Sequence, residues 1–103
     1  MAKSVVAFSL EEFDPSYTRV LIGNADFSET NLTNLGTLEL ITGDAFFRES
    51  EVKYLGSLTT IGDSVYFFDS QIESLGNLTT IGGGVYFADR TDLEAEWEKR
   101  KNK

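Results

Sequence analysis

The sequence predicts a mostly β protein, a small β-solenoid of about four rungs with an N-terminal cap and a C-terminal capping helix. Three observations lead to this prediction. A 20-residue pattern recurs without insertion, its apolar positions fit no single helix, and a glycine interrupts each copy at the same place. A length of 103 residues is usual for one domain, so we expect a single domain over residues 1–103.

The repeat is clearest in the second half of the chain. The octapeptide LGSLTTIG at 55–62 returns as LGNLTTIG at 75–82, and VYF at 65–67 returns at 85–87. Residues 35–47 follow the same register more loosely. One step further back, the register still holds at Leu21, Gly23, Ala25 and Phe27. Each copy is therefore interpreted as one coil of a solenoid.

Stacking the coils aligns six apolar columns. They are Leu32/Val52/Ile72, Leu35/Leu55/Leu75, Leu38/Leu58/Leu78, Ile41/Ile61/Ile81, Ala45/Val65/Val85 and Phe47/Phe67/Phe87. Spacings of three, three, three, four and two residues define no helical face. We expect a strand near residues 64–68 and its equivalents, and glycine-assisted corners at Gly36, Gly56 and Gly76. One coil cannot bury its apolar side alone, so stability must come from stacking.

The two ends of the chain depart from the repeat. Residues 1–20 break the register, residues 21–90 hold the solenoid repeats, and residues 91–103 form a helix with a basic tail. The first segment is expected to fold over the first coil with its apolar residues, which are Val5, Val6, Phe8, Leu10, Phe13 and Tyr17.

The C-terminal segment has the signals of a helix start. Thr91 is expected to cap it, and Glu94 to complete a capping box. Leu93 and Trp97 lie four residues apart and would cover the last coil. The cations near residues 99–101 fall in the last helical turn, where the helix dipole favours positive charge.

Composition narrows the function classes. The chain contains neither cysteine nor histidine, so a disulfide framework, a thiolate metal site and the most frequent general base are all missing. Carboxylate pairs are numerous, but no insertion creates a cleft around one of them. We therefore expect no enzymatic activity, no cofactor and no metal.

Charge points to the kind of partner. The net charge is −8, and residues 1–98 hold 17 acidic residues against five basic ones. Such a body repels nucleic acid and anionic lipid and attracts a basic protein surface. The sequence shows no membrane span, and its apolar run at 5–8 is too short for a secretory signal. A cytoplasmic protein is expected, with no direct nucleic-acid or membrane binding.

Strand alternation predicts an aromatic outer face. If Val65 and Phe67 point inward, Tyr66 and Phe68 point outward, and so do Phe46 and Tyr86 one coil away. Phe46, Tyr66 and Tyr86 would then stack about 4.8 Å apart as an aromatic ladder, which Phe68 widens. The ladder either stabilises the sheet by cross-strand pairing or forms a binding surface, and both interpretations stay open.

An acidic column runs beside this ladder, formed by Glu29, Glu49, Asp69 and Asp89. Stacked like charges are tolerated on a solvated turn. Alternatively, they attract an Arg- or Lys-rich partner. A calcium site would need six to eight converging oxygens, which this pattern does not supply. The predicted partner-binding residues are Phe46, Tyr66, Phe68, Tyr86, Glu49, Asp69 and Asp89.

The segment Ile41-Thr42-Gly43-Asp44-Ala45-Phe46-Phe47, preceded by Leu35 and Leu38, resembles the L-domain repeat of growth-factor and insulin receptors. That repeat reads Leu-x-x-Leu-x-x-Ile-x-Gly-x-Leu-x-Ile. The pattern also fits Leu75, Leu78, Ile81, Gly83, Val85 and Phe87. The likeness covers roughly residues 20–90 and is similar also to leucine-rich repeats of bacterial and phage proteins. It implies a right-handed solenoid that binds proteins. The chain departs from it by lacking cysteines, a signal peptide and an asparagine ladder.

Three functions follow as hypotheses. The first is a protein-interaction module that uses the aromatic and acidic face. The second is an acidic inhibitor or nucleic-acid mimic, for example phage-encoded, that blocks a basic site on a host protein. The third is a structural or self-assembling protein, with a homodimer through the solenoid edges as one form of assembly.

Overall fold

The computed structural model describes residues 5–101, apart from the side chains of Glu29 and Lys101. In this part of the chain the protein is a parallel β-solenoid of about three turns with a single C-terminal helix. The mostly β architecture and the 20-residue period that the sequence predicts are thereby confirmed.

The solenoid contains two parallel sheets. Sheet A consists, in spatial order, of β1 (Val6–Ala7), β2 (Val20–Leu21), β4 (Leu40–Ile41), β6 (Thr60–Ile61) and β8 (Thr80–Ile81). Sheet B consists of β3 (Ala25–Asp26), β5 (Ala45–Phe46), β7 (Val65–Tyr66) and β9 (Val85–Tyr86). A short 3-10 helix spans Phe27–Glu29, and α1 spans Thr91–Lys101. From β2 onward, partners in register lie 20 residues apart, as Leu21 and Ile41 do.

Each coil has two strands, where the sequence predicted one near residues 64–68. Within that range β7 covers only Val65–Tyr66, and β6 comes before it across a corner at 62–64. The corner depends on Gly62, because a Cβ there would lie 2.3 Å from the Thr42 carbonyl oxygen of the coil below. Gly56 has the other special role: its φ of +61° lies in the left-handed region that glycine adopts at little cost.

The predicted columns form the core. The side chains of these columns in the central coils are zero to one per cent exposed. Inside the solenoid, the rings of Phe27, Phe47, Phe67 and Phe87 form one stack with nearly parallel planes. At the last coil, Ile81 and Val85 are only partly buried. The core is therefore closed along the solenoid and less completely covered at its C-terminal end.

The N-terminal segment adds a strand to sheet A, and its Leu10 and Phe13 pack against the core as expected. β1 pairs with β2 at an offset of 14 residues, with Val6 opposite Val20 and Ala7 opposite Leu21. This register turns Ala7 into the core at one per cent exposure and leaves Val5 and Phe8 exposed. The expectation that Val5 and Phe8 pack over the first coil is therefore wrong, because inward Leu21 selects Ala7 as its neighbour.

The helix α1 covers the last coil as expected, with Leu93 one per cent exposed and Trp97 packed against the core. Its predicted cap is wrong by one residue. α1 begins at Thr91, and the Glu94 backbone N–H donates to the Arg90 carbonyl at 3.2 Å. Arg90 therefore occupies the cap position, and Thr91 already belongs to the first helical turn.

Three side chains dock α1 onto one side of the last coil. The Arg90 guanidinium donates to the carbonyls of Ser70 and Ile72, and that of Arg100 to the carbonyls of Gly76 and Leu78. Between them, Glu96 accepts from the Leu75 N–H at 3.1 Å and from the Ser74 hydroxyl. Together these contacts satisfy backbone groups at 70–78 that a further coil would otherwise pair.

Two ion pairs hold these arginines in place. Arg90 contacts Asp92 at 2.8 Å, and Arg100 contacts Glu96 at 2.8 Å. The hydrogen bond from Arg90 lowers the pKa of the exposed Asp92 carboxyl and raises the pKa of the guanidinium. Any stability that Asp92 adds is thus present at neutral pH and is lost only in acid, as pH falls through its lowered pKa.

A matched pair of serines tests the arginine contact. Ser50 and Ser70 occupy equivalent positions, but the Ser50 hydroxyl is buried and has no hydrogen-bond partner among residues 5–101. The Ser70 hydroxyl accepts from Arg90 at 3.1 Å. We expect Ser50→Ala to leave stability unchanged or raise it by up to about 1 kcal/mol, and Ser70→Ala to lower it by about 0.5–1.5 kcal/mol. Urea unfolding of the two variants measures the difference, and the reverse order would contradict the docking geometry.

Candidate protein-interaction site

The predicted aromatic ladder exists on the outer face of sheet B. β5, β7 and β9 bury Ala45, Val65 and, in part, Val85, so the next residue of each strand points outward. The rings of Phe46 and Tyr66 stack with centroids 4.8 Å apart and planes 5° apart, and those of Tyr66 and Tyr86 at 4.8 Å and 7°. This spacing is that of adjacent strands, which confirms the predicted stacking.

Exposure increases along the ladder. Phe46 and Tyr66 are half-buried, because neighbouring rings cover their faces, whereas Tyr86 is 49% exposed. Tyr86 is the last ring of the stack within the described residues, so one of its faces has no ring beyond it. The edges of the rings are thus accessible along the ladder, and one face of the Tyr86 ring is open at the C-terminal end of the ladder.

Phe68 widens the ladder as expected. Its ring meets Tyr66 edge to face at a centroid distance of 6.3 Å and an angle of 83°. The guanidinium of Arg48 lies 5.8 Å from the Phe68 centroid and contacts Glu49 at 3.5 Å. A cation on an aromatic face is favourable, and this contact fixes the outer Phe68 ring between two neighbours.

Shallow grooves flank both ends of the ladder. The first, about 350 Å³, is lined by Asp26, Ser28, Phe46, Arg48, Glu49, Tyr66 and Phe68. The second, about 510 Å³, is lined by Tyr66, Phe68, Val85, Tyr86, Phe87, Ala88 and Glu94. Each groove combines an apolar aromatic wall with at least one carboxylate, a composition that suits a side chain with an apolar body and a cationic tip.

The acidic column lies on a turn in which one residue of each coil has a left-handed backbone conformation. Glu49 and Asp69 both have a φ of 55°, and the Glu49 N–H donates to the Asp69 carbonyl at 3.0 Å. At the last coil the left-handed residue is Ala88 (φ 49°), and the Asp89 carboxylate accepts from the Asp69 N–H at 3.3 Å. All three carboxylates remain exposed. The side chain of Glu29 lies outside the described residues.

Sequence reasoning missed three residues of this face. Arg48 and Phe68 occupy equivalent positions one coil apart, so the repeat register was a signal that could have placed Arg48 beside the ring. Asp26 likewise occupies the ladder position one coil before Phe46. Glu94 gave no such signal, because its place beside Tyr86 depends on how α1 docks.

Among residues 5–101, no group of three or more acidic side chains is arranged to hold a metal ion. No helix in the described range has the length and apolar character that crossing a bilayer requires.

The geometry defines a solenoid with a half-exposed aromatic ladder and acidic margins. Comparison of the sequence and structure with protein-family models, with curated proteins and with solved structures gave no match. The resemblance to receptor L-domains and leucine-rich repeats thus stays at the level of the motif.

Proposed function

We propose that this chain is a non-enzymatic protein-interaction module that binds a basic surface of a partner through its outer aromatic and acidic face. One observation carries the proposal. The stacked rings of Phe46, Tyr66 and Tyr86 form a continuous strip on the surface, although the core is already filled by the separate inner stack of phenylalanines. Exposed aromatic strips with polar margins are typical of binding surfaces.

The charge distribution supports a basic partner. Glu49, Asp69, Asp89 and Glu94 are exposed, whereas the two cations beside them are engaged: Arg48 contacts Glu49 and the Phe68 ring, and Arg90 pairs with Asp92 and donates to the Ser70 carbonyl. Exposed carboxylates steer a basic surface toward the face and act mainly on the association rate. The aromatic centre would supply most of the binding energy, because Tyr is favoured at hot spots. A protein partner agrees with the motif's likeness to protein-binding solenoid repeats, and a cytoplasmic location is part of the proposal.

The proposal predicts a specific loss of binding. Tyr66→Ala with Tyr86→Ala should leave the solenoid folded, at a cost of roughly 1–2 kcal/mol from lost cross-strand pairing. It should abolish capture of the protein that the parent chain retains from its native host. Tyr54→Ala is the matched control, because Tyr54 is 48% exposed but lies outside the ladder. Circular dichroism checks folding, and pull-down checks capture. Undiminished capture by a folded double variant would place the interaction surface elsewhere.

The second candidate function is that of an acidic inhibitor or nucleic-acid mimic, which the net charge of −8 favours. A mimic depends on charge, so its affinity should fall steeply with salt and should survive loss of the tyrosines. A salt titration of the captured complex distinguishes the two. Charge reversal at Asp69 and Asp89 should weaken the proposed module mainly at low salt, whereas it should disable a mimic at all salt concentrations tested.

A further inference from the structure

The last strand of sheet B has an unused edge. In the preceding coils, the Ala45 N–H donates to the Ser64 carbonyl at 2.9 Å, and the Val65 N–H to the Gly84 carbonyl at 3.0 Å. Likewise Phe47 donates to Tyr66 at 3.0 Å. β9 is the last strand of this sheet within residues 5–101, so the amides of Val85 and Phe87 have no following coil to which to donate.

Two grooves lie beside this edge, although α1 covers the core next to it. The polar contacts of α1 are made with residues 70–78, on another side of the coil from β9. The grooves lie between α1 and the β8–β9 side, the one of about 510 Å³ beside Tyr86 and another of about 380 Å³ beside Ile81 and Trp97. Val85, Phe87 and Glu94 line both. The unpaired backbone edge is thus bordered by apolar surface and by a carboxylate.

We propose that an extended segment of a partner protein binds here as a fifth strand of sheet B, parallel to β9. This inference rests on the proposed function, which makes the ligand a protein, and adds how that protein binds. The repeat itself defines the geometry: the added strand takes the place of the next coil, about 4.8 Å from β9. Its outward residue continues the ladder, so an aromatic ring there stacks on the open face of Tyr86.

The same geometry defines the preferred sequence of the bound segment. The residue pointing inward, beside Val85, must be small, because Leu93 and Trp97 of α1 already cover the core. A flanking Lys or Arg is favoured by Glu94, which is exposed, and by nearby Asp89. The segment therefore has a small residue, an aromatic residue and a cation in an extended conformation.

Charge also decides between a partner segment and a second copy of this chain. Head-to-tail stacking would bring β9 of one copy against β3 of another, with Asp26 at the ladder position opposite Tyr86. Asp26 is exposed, and in such a stack it would approach the exposed carboxylates of Asp89 and Glu94 beside Tyr86. Like charges oppose this stacking, whereas a basic segment is attracted.

The test uses the full chain and a synthetic peptide, acetyl-Lys-Ser-Ala-Tyr-Ser-Lys-amide. In the free protein, amide hydrogen exchange at Val85 and Phe87 should be fast, and exchange at Val65 and Phe67 slow. Saturating peptide should slow exchange at Val85 and Phe87 by at least about tenfold. Tyr86→Ala and Glu94→Lys should each weaken peptide binding by about tenfold, the latter mainly at low salt. Glu51→Lys, an equal charge change at an exposed site on an earlier coil and outside the segment that α1 contacts, is the control.

Several results would overturn the inference. Absence of peptide binding would do so, as would binding that leaves the two amides unprotected or that Glu94→Lys does not weaken. Protection without peptide that grows with protein concentration would identify a second copy as the occupant. If a host protein is captured through Tyr66 and Tyr86 while the two amides stay unprotected, the proposed function stands and this mode of binding is wrong.

Discussion

Replacing Leu58 with alanine should unfold most of the protein or make it insoluble. Leu58 has no solvent exposure and lies in the middle of the column between Leu38 and Leu78. A leucine-to-alanine change at such a site costs about 2–5 kcal/mol, because the cavity between two stacked neighbours cannot fully collapse. Small domains are stable by only about 5–15 kcal/mol, and a solenoid of about three turns belongs at the low end of that range.

The neighbouring Ser57 provides the control for this experiment. Its side chain is exposed, so Ser57→Ala should change the free energy of unfolding by less than about 0.5 kcal/mol. Urea unfolding followed by circular dichroism compares both variants with the parent. A Leu58→Ala protein with the parent's midpoint would place Leu58 outside the core and contradict the register of all six columns.

The parts of the fold that repeat could be predicted from the sequence. Each core column repeats several times in the sequence. Comparing the copies therefore shows that Val65 and Phe67 point inward and that Tyr66 points outward. Strand alternation then placed the ladder, and the strand spacing gave its ring separation of 4.8 Å. The second strand of each coil was missed, because the core columns nearest to Ile61 lie three residues before it and four residues after it, which gives no period-2 alternation.

The parts that occur once could not be predicted in the same way. Ala7 enters the core because β1 pairs with β2 at an offset of 14 residues, a number that no internal copy of the segment reveals. Arg100 was taken for a helix-end cation and Arg90 was given no role, yet each donates to carbonyls of the last coil. These contacts join residues about 20 positions apart through the docking of α1, which propensity and local spacing do not encode.

The candidate site also contains both repeated positions and positions that occur only once. The aromatic members and Asp69 come from repeated positions, and their placement was accessible from the register. Glu94 belongs to α1, and the unpaired edge of β9 depends on which side of the coil α1 covers. The strand edge beside Tyr86 says most about the kind of ligand. It is visible only in the tertiary arrangement and not in the sequence.

The central claim is that 20-residue coils stack as equivalent units, and duplicating one coil tests it most directly. Inserting a second copy of residues 61–80 after Thr80 recreates the natural junctions, because Thr80-Ile61 repeats the Thr60-Ile61 and Thr80-Ile81 sequences. The insert carries all six columns and another Tyr for the ladder. A scrambled insert of the same length and composition is the control.

Urea unfolding of the monomeric proteins is the measurement. Because the free energy of a solenoid is a sum over coils and their interfaces, the duplicated chain should be more stable than the parent. Its m-value should rise by about a fifth, since unfolding exposes one more coil. The scrambled insert should loop out and give neither gain. If the duplicated chain behaves like the scrambled one, or is less stable than the parent, the chain is not a stack of equivalent 20-residue coils.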